Sequence, residues 1–459
     1  MYNAFIVEYC DVLYNKNENT GSEVYYEIYR INILTEGPYP YGLLKGGAKL
    51  FLRVLIDICQ LVLFFVGCYY FSLALFSLTV TQKEKKLNID NTFALLVAAH
   101  NEEAVVNDIV ESLKKLDYPK DKYQIFVVAD NCTDKTAEIA KKAGATVLER
   151  FDKTKIGKGY AMEFAFEKVF ALPDNFEYIC VFDADNLVKP DFLIHMNNKI
   201  NEGYRAVQGY LDSKNPTDSW LTFSYSMWYW INNRLSQLSR GNLDLGCRLG
   251  GTGFAVSSEL IREFGWGATC LAEDTEFTLK LALSDIKVGW AHDAVVYDEK
   301  PKQLSTSMKQ RKRWMQGLAD VASHYVKPLA EKCVKEKSVS AFHMLMNFWS
   351  DSLYPVTFIF FASVYLMIFF AEKNSVLFEL FCSMWTEPWR LVLLTALVWG
   401  NIVVVFAGLY NDKKLDINIA KNFWGFAIYL ITWIPVGIIG ILKKDDKEWF
   451  HTPHSSKEK

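Results

Sequence analysis

Tyr178-Ile179-Cys180-Val181-Phe182-Asp183-Ala184-Asp185-Asn186 decides how the middle of this chain folds. Residues 178–182 are apolar or aromatic throughout, the pattern of a strand buried on both faces of a parallel sheet. The strand runs directly into two acids one residue apart. Side chains of an extended segment alternate with period two, so Asp183 and Asp185 project to the same side. Val127-Val128-Ala129-Asp130-Asn131-Cys132-Thr133-Asp134 repeats the theme upstream as the end of a second apolar run, 123–129. Working outward, 93–99 is another apolar run, ending in His100-Asn101-Glu102-Glu103, and 105–116 follow with helical periodicity. Residues 133–143 read as a helix stopped by Gly144, 146–149 as a short strand and 160–170 as a further helix. This alternation predicts an α/β domain with a mostly parallel sheet covered by helices. Ligands of such sheets bind beyond the carboxyl ends of the strands, where the acids of this sequence lie.

The chain has 459 residues, two or three domains at ~150 residues each. Its 50 Lys and Arg against 53 Asp and Glu give a net charge of −3, so no basic excess favours nucleic acid as a partner. At 51% hydrophobic and 15% aromatic it is not a disordered protein. Charge-free windows lie between Asp57 and Lys83, Asp351 and Glu372, Arg390 and Asp412, and Lys421 and Lys443. Each reaches the ~20 residues that cross a hydrocarbon core. A buried core helix explains any single window, but four with Trp, Tyr and Lys rims point to four membrane segments.

The expected layout is a polar segment 1–50, a transmembrane helix 51–82, and a catalytic domain 87–300. Interfacial helices 301–342, transmembrane helices 343–442 and a polar tail 443–459 complete it. The first window starts too far in for a cleavable signal peptide. Lys83, Lys85 and Lys86 favour a cytoplasmic middle domain, and Lys413, Lys414 and Lys421 an inside loop. The crossing count then places the tail outside, whereas Lys443, Lys444 and Lys447 favour the inside. The alternatives are that one of the segments is re-entrant or that the segment holding Pro435 does not fully cross. Nine scattered cysteines without a Cys-x-x-Cys pair fit a reduced compartment, and a plasma membrane location follows as the expectation.

Asp183 and Asp185 can hold one hard cation, Mg²⁺ or Mn²⁺, which takes its remaining ligands from substrate phosphates and water. An acid-rich helix cap is the plain alternative. Lys155-Ile156-Gly157-Lys158-Gly159 opens a helix, and Lys158 can meet a pyrophosphate; a solvated lysine serves as well there. Gly250-Gly251-Thr252-Gly253 lets a bulky ligand lie against bare backbone. Glu273-Asp274 enters an amphipathic helix, either as a dipole-complementing first turn or as a general base for an attacking hydroxyl. Gln310, Arg313 and Trp314 fall at i, i+3 and i+4 of a helix over 305–321. An amide, a guanidinium and an indole on one face suit a diphosphate and a stacked sugar ring, while a basic membrane-surface helix is the alternative.

Taken in order, Asp130, Asp183-Ala184-Asp185, Glu273-Asp274 and Gln310-Arg311-Lys312-Arg313-Trp314 resemble the processive branch of glycosyltransferase family 2. Its members include cellulose, hyaluronan, chitin and poly-N-acetylglucosamine synthases, and the resemblance spans 93 to the C-terminus. It implies a GT-A domain on the cytoplasmic face and one inverting displacement from a UDP-sugar, UDP-glucose or UDP-N-acetylglucosamine, onto a growing β-glycan secreted through the bilayer. Ala98, His100, Glu102 and Asp130 would hold the nucleotide, with Lys158 nearby. Asp183 would hold the diphosphate and Asp185 the Mg²⁺ or Mn²⁺, both as metal ligands. Asp274 would be the catalytic base beside Glu273, with Gln310 and Arg313 on the diphosphate. Trp314 would stack on the acceptor, and Gly251, Thr252 and Gly253 would line its path. The stretch 219–233 is expected as an interfacial helix on the bilayer. The sequence departs from the cellulose-type pattern in having Ala272 where threonine is common, and no Arg-x-x-x-Arg sensing domain follows the last window. Transfer of one sugar to a lipid carrier is the alternative activity, and accessory subunits are left open.

Overall fold

In the computed structural model the described residues are 64–78, 88–352 without 174, 268 and 269, 388–415 and 417–446, with isolated positions 54, 58 and 62. The polar segment 1–50, the tail beyond 446 and nearly all of the 351–372 window lie outside them. Helix α1 (Phe64–Leu78) precedes the sheet domain. Strand β1 (Phe93–Ala99) leads to α2 (Val106–Lys114), β2 (Tyr123–Asp130) to α3 (Thr136–Lys142), and β3 (Thr146–Arg150) to α4 (Lys158–Phe170). Then follow β4 (Tyr178–Asp183), the short β5 (Leu187–Val188), α5 (Phe192–Asn201) and β6 (Ala206–Ser213). Helix α6 (Trp220–Ile231) continues into a π-helical segment, Asn232–Leu238. After it come β7 (Phe254–Ser257), α7 (Ser258–Phe264), α8 (Glu273–Leu283) and β8 (Val288–Asp298). Four helices end the described chain: α9 (Leu304–Lys335), α10 (Val339–Ser352), α11 (Pro388–Asn411) and α12 (Ile417–Leu442).

The eight strands form one sheet in the order β3-β2-β1-β4-β7-β6-β8-β5. Strands β3, β2, β1 and β4 are parallel, as the strand–helix alternation predicts. The other half is mixed, with β7 antiparallel to both neighbours and β6 parallel to β8. The expectation of a mostly parallel sheet therefore holds for one half only. Helical crossovers mark parallel neighbours, but a short apolar run such as 254–257 carries no sign of its direction. Alternation along β1 builds both cores. Leu96 faces the cluster holding Phe126, Met162 and Val181, while Leu95 and Val97 face the one holding Ile109, Leu113 and Phe192.

Helix α6 starts at a capping box, in which the Thr222 amide donates to Ser219 Oγ at 3.1 Å and the Ser219 amide to Thr222 Oγ1 at 2.9 Å. Leu221, Phe223, Tyr225, Met227 and Trp230 of this helix are buried, so the stretch 219–233, expected as an interfacial helix docking the domain on the bilayer, is largely covered by the protein itself. Trp220 packs on Trp424 and Trp228 on Trp433, which makes α6 the seat of α12. Helix α9 exceeds its expected end at 321 and runs through Pro328 to Lys335. A third cluster, with Leu279, Met315, Leu318, Met344 and Val436, joins α8, α9, α10 and α12.

Among the described residues one helix, Lys421–Leu442, is long and apolar enough to cross a membrane. Phe64–Leu78 and Ile402–Asn411 are apolar but shorter, so four membrane segments are not what the described residues present. A charge-free window marks an apolar helix; its length in the fold depends on where the flanking chain turns, which composition does not record.

Candidate active site

Beyond the carboxyl ends of β1, β2 and β4 opens a cavity of about 670 Å³. Ala98, His100, Glu102 and Asp130 line one end, at the tips of β1 and β2. Asp183 and Asp185 follow at the tip of β4, with Lys158 at the start of α4 opposite them. Gly251 and Thr252 form the floor, with Glu273 and Asp274 rising from the first turn of α8. Gln310, Arg313 and Trp314 close the cavity from α9. Gly253 is not in the lining; a side chain there would meet Val296 at 2.9 Å.

Each group is held by identifiable bonds. His100 Nδ1 lies 2.6 Å from the Asp130 carbonyl, tying the ends of β1 and β2. Lys158 Nζ is ion-paired with Asp183 and donates to the Gly251 carbonyl at 2.7 Å. Burial disfavours the charge on Lys158, but Asp183, Glu273 and Asp274 outweigh it and hold the ammonium above its ordinary value. Thr252 Oγ1 bonds Asn186, and the Asp183 amide donates to both of their side-chain oxygens at 3.1 Å. Gly251 has φ +80°, and a side chain there would stand 3.4 Å from Asp274 Oδ2, so glycine keeps the space beside that carboxylate open.

Burial raises the proton affinity of Glu273, with Lys158 opposing and the adjacent Asp274 adding. Asp274 is raised too, chiefly by burial, against Arg248, the Thr275 amide and Lys158. A carboxylate with raised proton affinity is suited to accept a proton near neutrality. On α9, Tyr225 Oη donates to Gln310 Oε1 at 3.2 Å, and the Tyr225 ring meets Trp314 edge-on. Arg313 Nε is buried with no hydrogen-bond partner among the described residues, a donor suited to an anionic ligand.

Four charged residues reach the site without a sequence motif. Arg150 donates to Asp130 Oδ1 at 2.6 Å and to the Lys155 carbonyl at 2.7 Å, so Asp130 holds the 150–155 loop as well as lining the cavity. Arg248 lines the cavity, its backbone clamped by Gln237 of the π-helical segment. Asp298 and Glu299, at the end of β8, face Asp185, whose Oδ2 accepts the Glu299 amide at 3.2 Å. Burial pushes the Asp298 carboxyl up to about 6; Lys300 opposes this, and Asp185 and Asp183 add to it. Periodicity and motif spacing carry no signal for residues like these, which sheet topology alone brings in.

Among the described residues no three His, Cys, Asp or Glu side chains form a complete metal cage. The mutual repulsion of Asp183, Asp185 and Asp298 nonetheless fits a cation that takes its other ligands from diphosphate and water.

The half-parallel sheet with acids at its strand tips is a GT-A-like α/β fold, that of nucleotide-sugar transferases. Residues 90–317 match the model of the glycosyltransferase like family 2, and this stretch is a family 2 glycosyltransferase domain. A probable glycosyltransferase of Bacillus subtilis, YdaM, is 23% identical over 80% of this chain and 87% of its own length. The β-monoglucosyldiacylglycerol synthase of Nostoc is 29% identical over 49% of this chain, which spans about half (48%) of that relative. Poly-β-1,6-N-acetyl-D-glucosamine synthase of Staphylococcus epidermidis is 24% identical over 74% of this chain and 79% of its own. The mannosyltransferase of Pyrobaculum calidifontis, solved with GDP-mannose and Mn²⁺, superposes with a TM-score of 0.53 at 16% identity. That match covers 78% of this chain and 98% of the other, and the likeness is one of fold.

Proposed function

We propose that this protein is an inverting, metal-dependent hexosyltransferase that moves a sugar from a UDP-sugar, UDP-glucose first, to a hydroxyl borne by a membrane lipid. The observation that carries the acceptor is the far wall of the cavity. Ala427, Leu430, Ile431 and Ile434 of α12 line the same cavity as Asp274 and Trp314. Leu430 and Ile431 are 40% and 58% exposed, so this wall gives the cavity an accessible aliphatic face. An acceptor with an apolar body is stabilised there by burial, whereas a bare hydrophilic chain gains nothing from those side chains.

In this reading the acceptor hydroxyl gives its proton to the Asp274 carboxylate as its oxygen bonds the anomeric carbon. The bond from that carbon to the diphosphate breaks on the opposite face, and its electron pair leaves with the nucleotide. Arg313 and Lys158 stabilise the charge that collects on the diphosphate. A bound Mg²⁺ or Mn²⁺, held by Asp183 and Asp185, would supply further neutralisation of that charge.

The expected growing β-glycan acceptor remains as a second reading, because Trp228, Tyr229, Trp314 and Trp433 give the cavity aromatic faces on which sugar rings stack. Single radiolabelled UDP-sugars, supplied with Mn²⁺ to membranes containing the full chain, separate the two. A product extracted into chloroform with one sugar per lipid supports the lipid acceptor. Label in a long, solvent-insoluble polymer overturns it in favour of the glycan, and no transfer from any UDP-sugar overturns both.

A further inference from the structure

Both ends of α12, and its middle, are fastened to the catalytic domain. At the entry, Asp412 Oδ1 pairs with Arg234 at 2.7 Å, and Lys414 Nζ pairs with Asp212 of β6 at 2.6 Å. Trp424 lies on Trp220 with ring centroids 5.9 Å apart. Midway, Trp433 lies on Trp228, and the guanidinium of Arg311 on α9 sits 4.6 Å from the Tyr429 ring and 5.0 Å from that of Trp433. At the exit, Gln316 Nε2 on α9 donates to the carbonyls of Lys443 at 2.8 Å and Asp446 at 2.9 Å. Gly440 is packed so closely that a side chain there would meet Met315 Cβ at 2.4 Å.

A helix standing across a bilayer offers a domain on one side only one of its ends. The stretch Lys421–Leu442 has 22 residues, ~33 Å of helix at 1.5 Å per residue, comparable with the ~30 Å hydrocarbon core. Its two ends cannot both meet one water-side domain if it crosses. The face turned away from the domain is nevertheless apolar. Ile428, Ile438 and Leu442 are exposed there with Pro435 in the same row, while Trp424 and Ile431, also exposed, edge the stripe where it meets Trp220 and the mouth of the cavity. The opposite row, Phe426, Tyr429, Val436 and Gly440, is the one packed inside. Lys413 and Lys421 precede the stripe, and Lys443 and Lys444 follow it ahead of Asp445 and Asp446, so lysines that can meet lipid phosphates stand at each end without a large net charge.

We infer that α12 lies in the plane of the membrane, with its outer stripe sunk into the headgroup–acyl boundary of one leaflet and both flanks on the catalytic side. The partner is the lipid bilayer surface, bound by an apolar stripe between two lysine pairs. The loop that opens α12 and the segment that closes it then share a compartment with the active site. The inference is independent of which acceptor the enzyme uses, because it rests on where α12 is fastened.

The full chain with an epitope tag appended after Lys459, reconstituted in sealed phosphatidylcholine–phosphatidylglycerol vesicles, tests it. Molecules whose catalytic domain faces outward are scored by an antibody raised against residues 88–348, which makes the orientation measurement independent of activity. Protease added outside is expected to remove the tag from those molecules without detergent. A tag on outward-facing molecules that survives until detergent is added would overturn the inference, since α12 then crosses. Protein that fails to float with the vesicles would overturn it as well.

Discussion

Replacing Asp274 with asparagine isolates the proton-accepting step. The amide keeps the volume of the carboxyl, and its Oδ1 still accepts the Thr275 amide, a bond of 2.7 Å in the native site. What disappears is the basic oxygen facing the Gly251 floor. A positioned general base contributes about 10²–10⁴-fold, which is about 2.7–5.5 kcal/mol at 1.36 kcal/mol per tenfold. Transfer by Asp274→Asn is therefore expected to fall by that factor. Asp183 raises the proton affinity of Asp274 by like-charge repulsion, so losing the Asp274 charge leaves the diphosphate end no more negative than before. UDP should bind the variant as well as the native protein or slightly better. The native enzyme should lose activity as pH falls through the proton affinity of Asp274. Burial raises that affinity above that of an ordinary aspartate, so the acid limb should lie at higher pH than a solvent-exposed aspartate would give. Radiolabel transfer under single turnover gives the rate, and titration calorimetry gives the UDP affinity. A variant within about threefold of the native rate, too small a loss for a general base, refutes the assignment. So does a loss explained wholly by weaker UDP binding.

Two further expectations concern the charged ends of the site. Arg313→Ala removes a buried donor with no other described partner, and a charge-assisted bond of ~1.5–3 kcal/mol should weaken UDP binding by about 10–150-fold. Uridine, which lacks the diphosphate, should bind both proteins alike in calorimetry; equal losses for the two ligands would place Arg313 elsewhere. Chelation with EDTA should stop transfer, and Mn²⁺ affinity followed by electron paramagnetic resonance should fall below pH 6. There Asp298, raised to about 6, takes a proton and ceases to attract the cation. In Asp298→Asn the pH dependence between 5 and 7 should flatten, and an unchanged slope would separate Asp298 from the metal.

The parallel half of the fold was legible because its strands are buried on both faces and so read as unbroken apolar runs. The run 93–99 coincides with β1, and 123–129 falls one residue short of β2. Helix ends were less sharp: 133–143 became Thr136–Lys142 because Asp134 and Thr133 are spent on side-chain bonds to Glu103, Thr136 and Asn101. The acids, Lys158, Gln310, Arg313 and Trp314 line one cavity, the common place that the family resemblance implies for them, whereas Gly253 is turned away from it. Arg150, Arg248 and Asp298 were illegible, being single residues that adjoin the site only through the order of the strands. Helix α12 shows the limit of composition. A helix with one apolar face on a protein and the other exposed has the same charge-free window as one surrounded by lipid. Residue 317 has to be glycine where α9 crosses the start of α8, since a side chain on Gly317 would stand 2.7 Å from the Ala272 Cβ.

The ion pairs at residues 412 and 414 bear on how the chain is born. Arg234 and Asp212, both buried, meet Asp412 and Lys414 some two hundred residues downstream, at separations of 178 and 202. Arg311 waits in the same way for Tyr429 and Trp433. During synthesis at ~5–20 residues per second, the completed 90–317 stretch waits on the order of ten seconds for these partners, with Asp212 held meanwhile by Trp230 and the Ser213 amide. A buried charge stripped of its partner costs ~3–5 kcal/mol, a large fraction of a domain's whole stability. These contacts couple the stability of the 90–317 stretch to the helices that follow it. A chain cut before residue 412 is expected to lose these pairings and the apolar cover of α12 together, and to be less stable than the full chain.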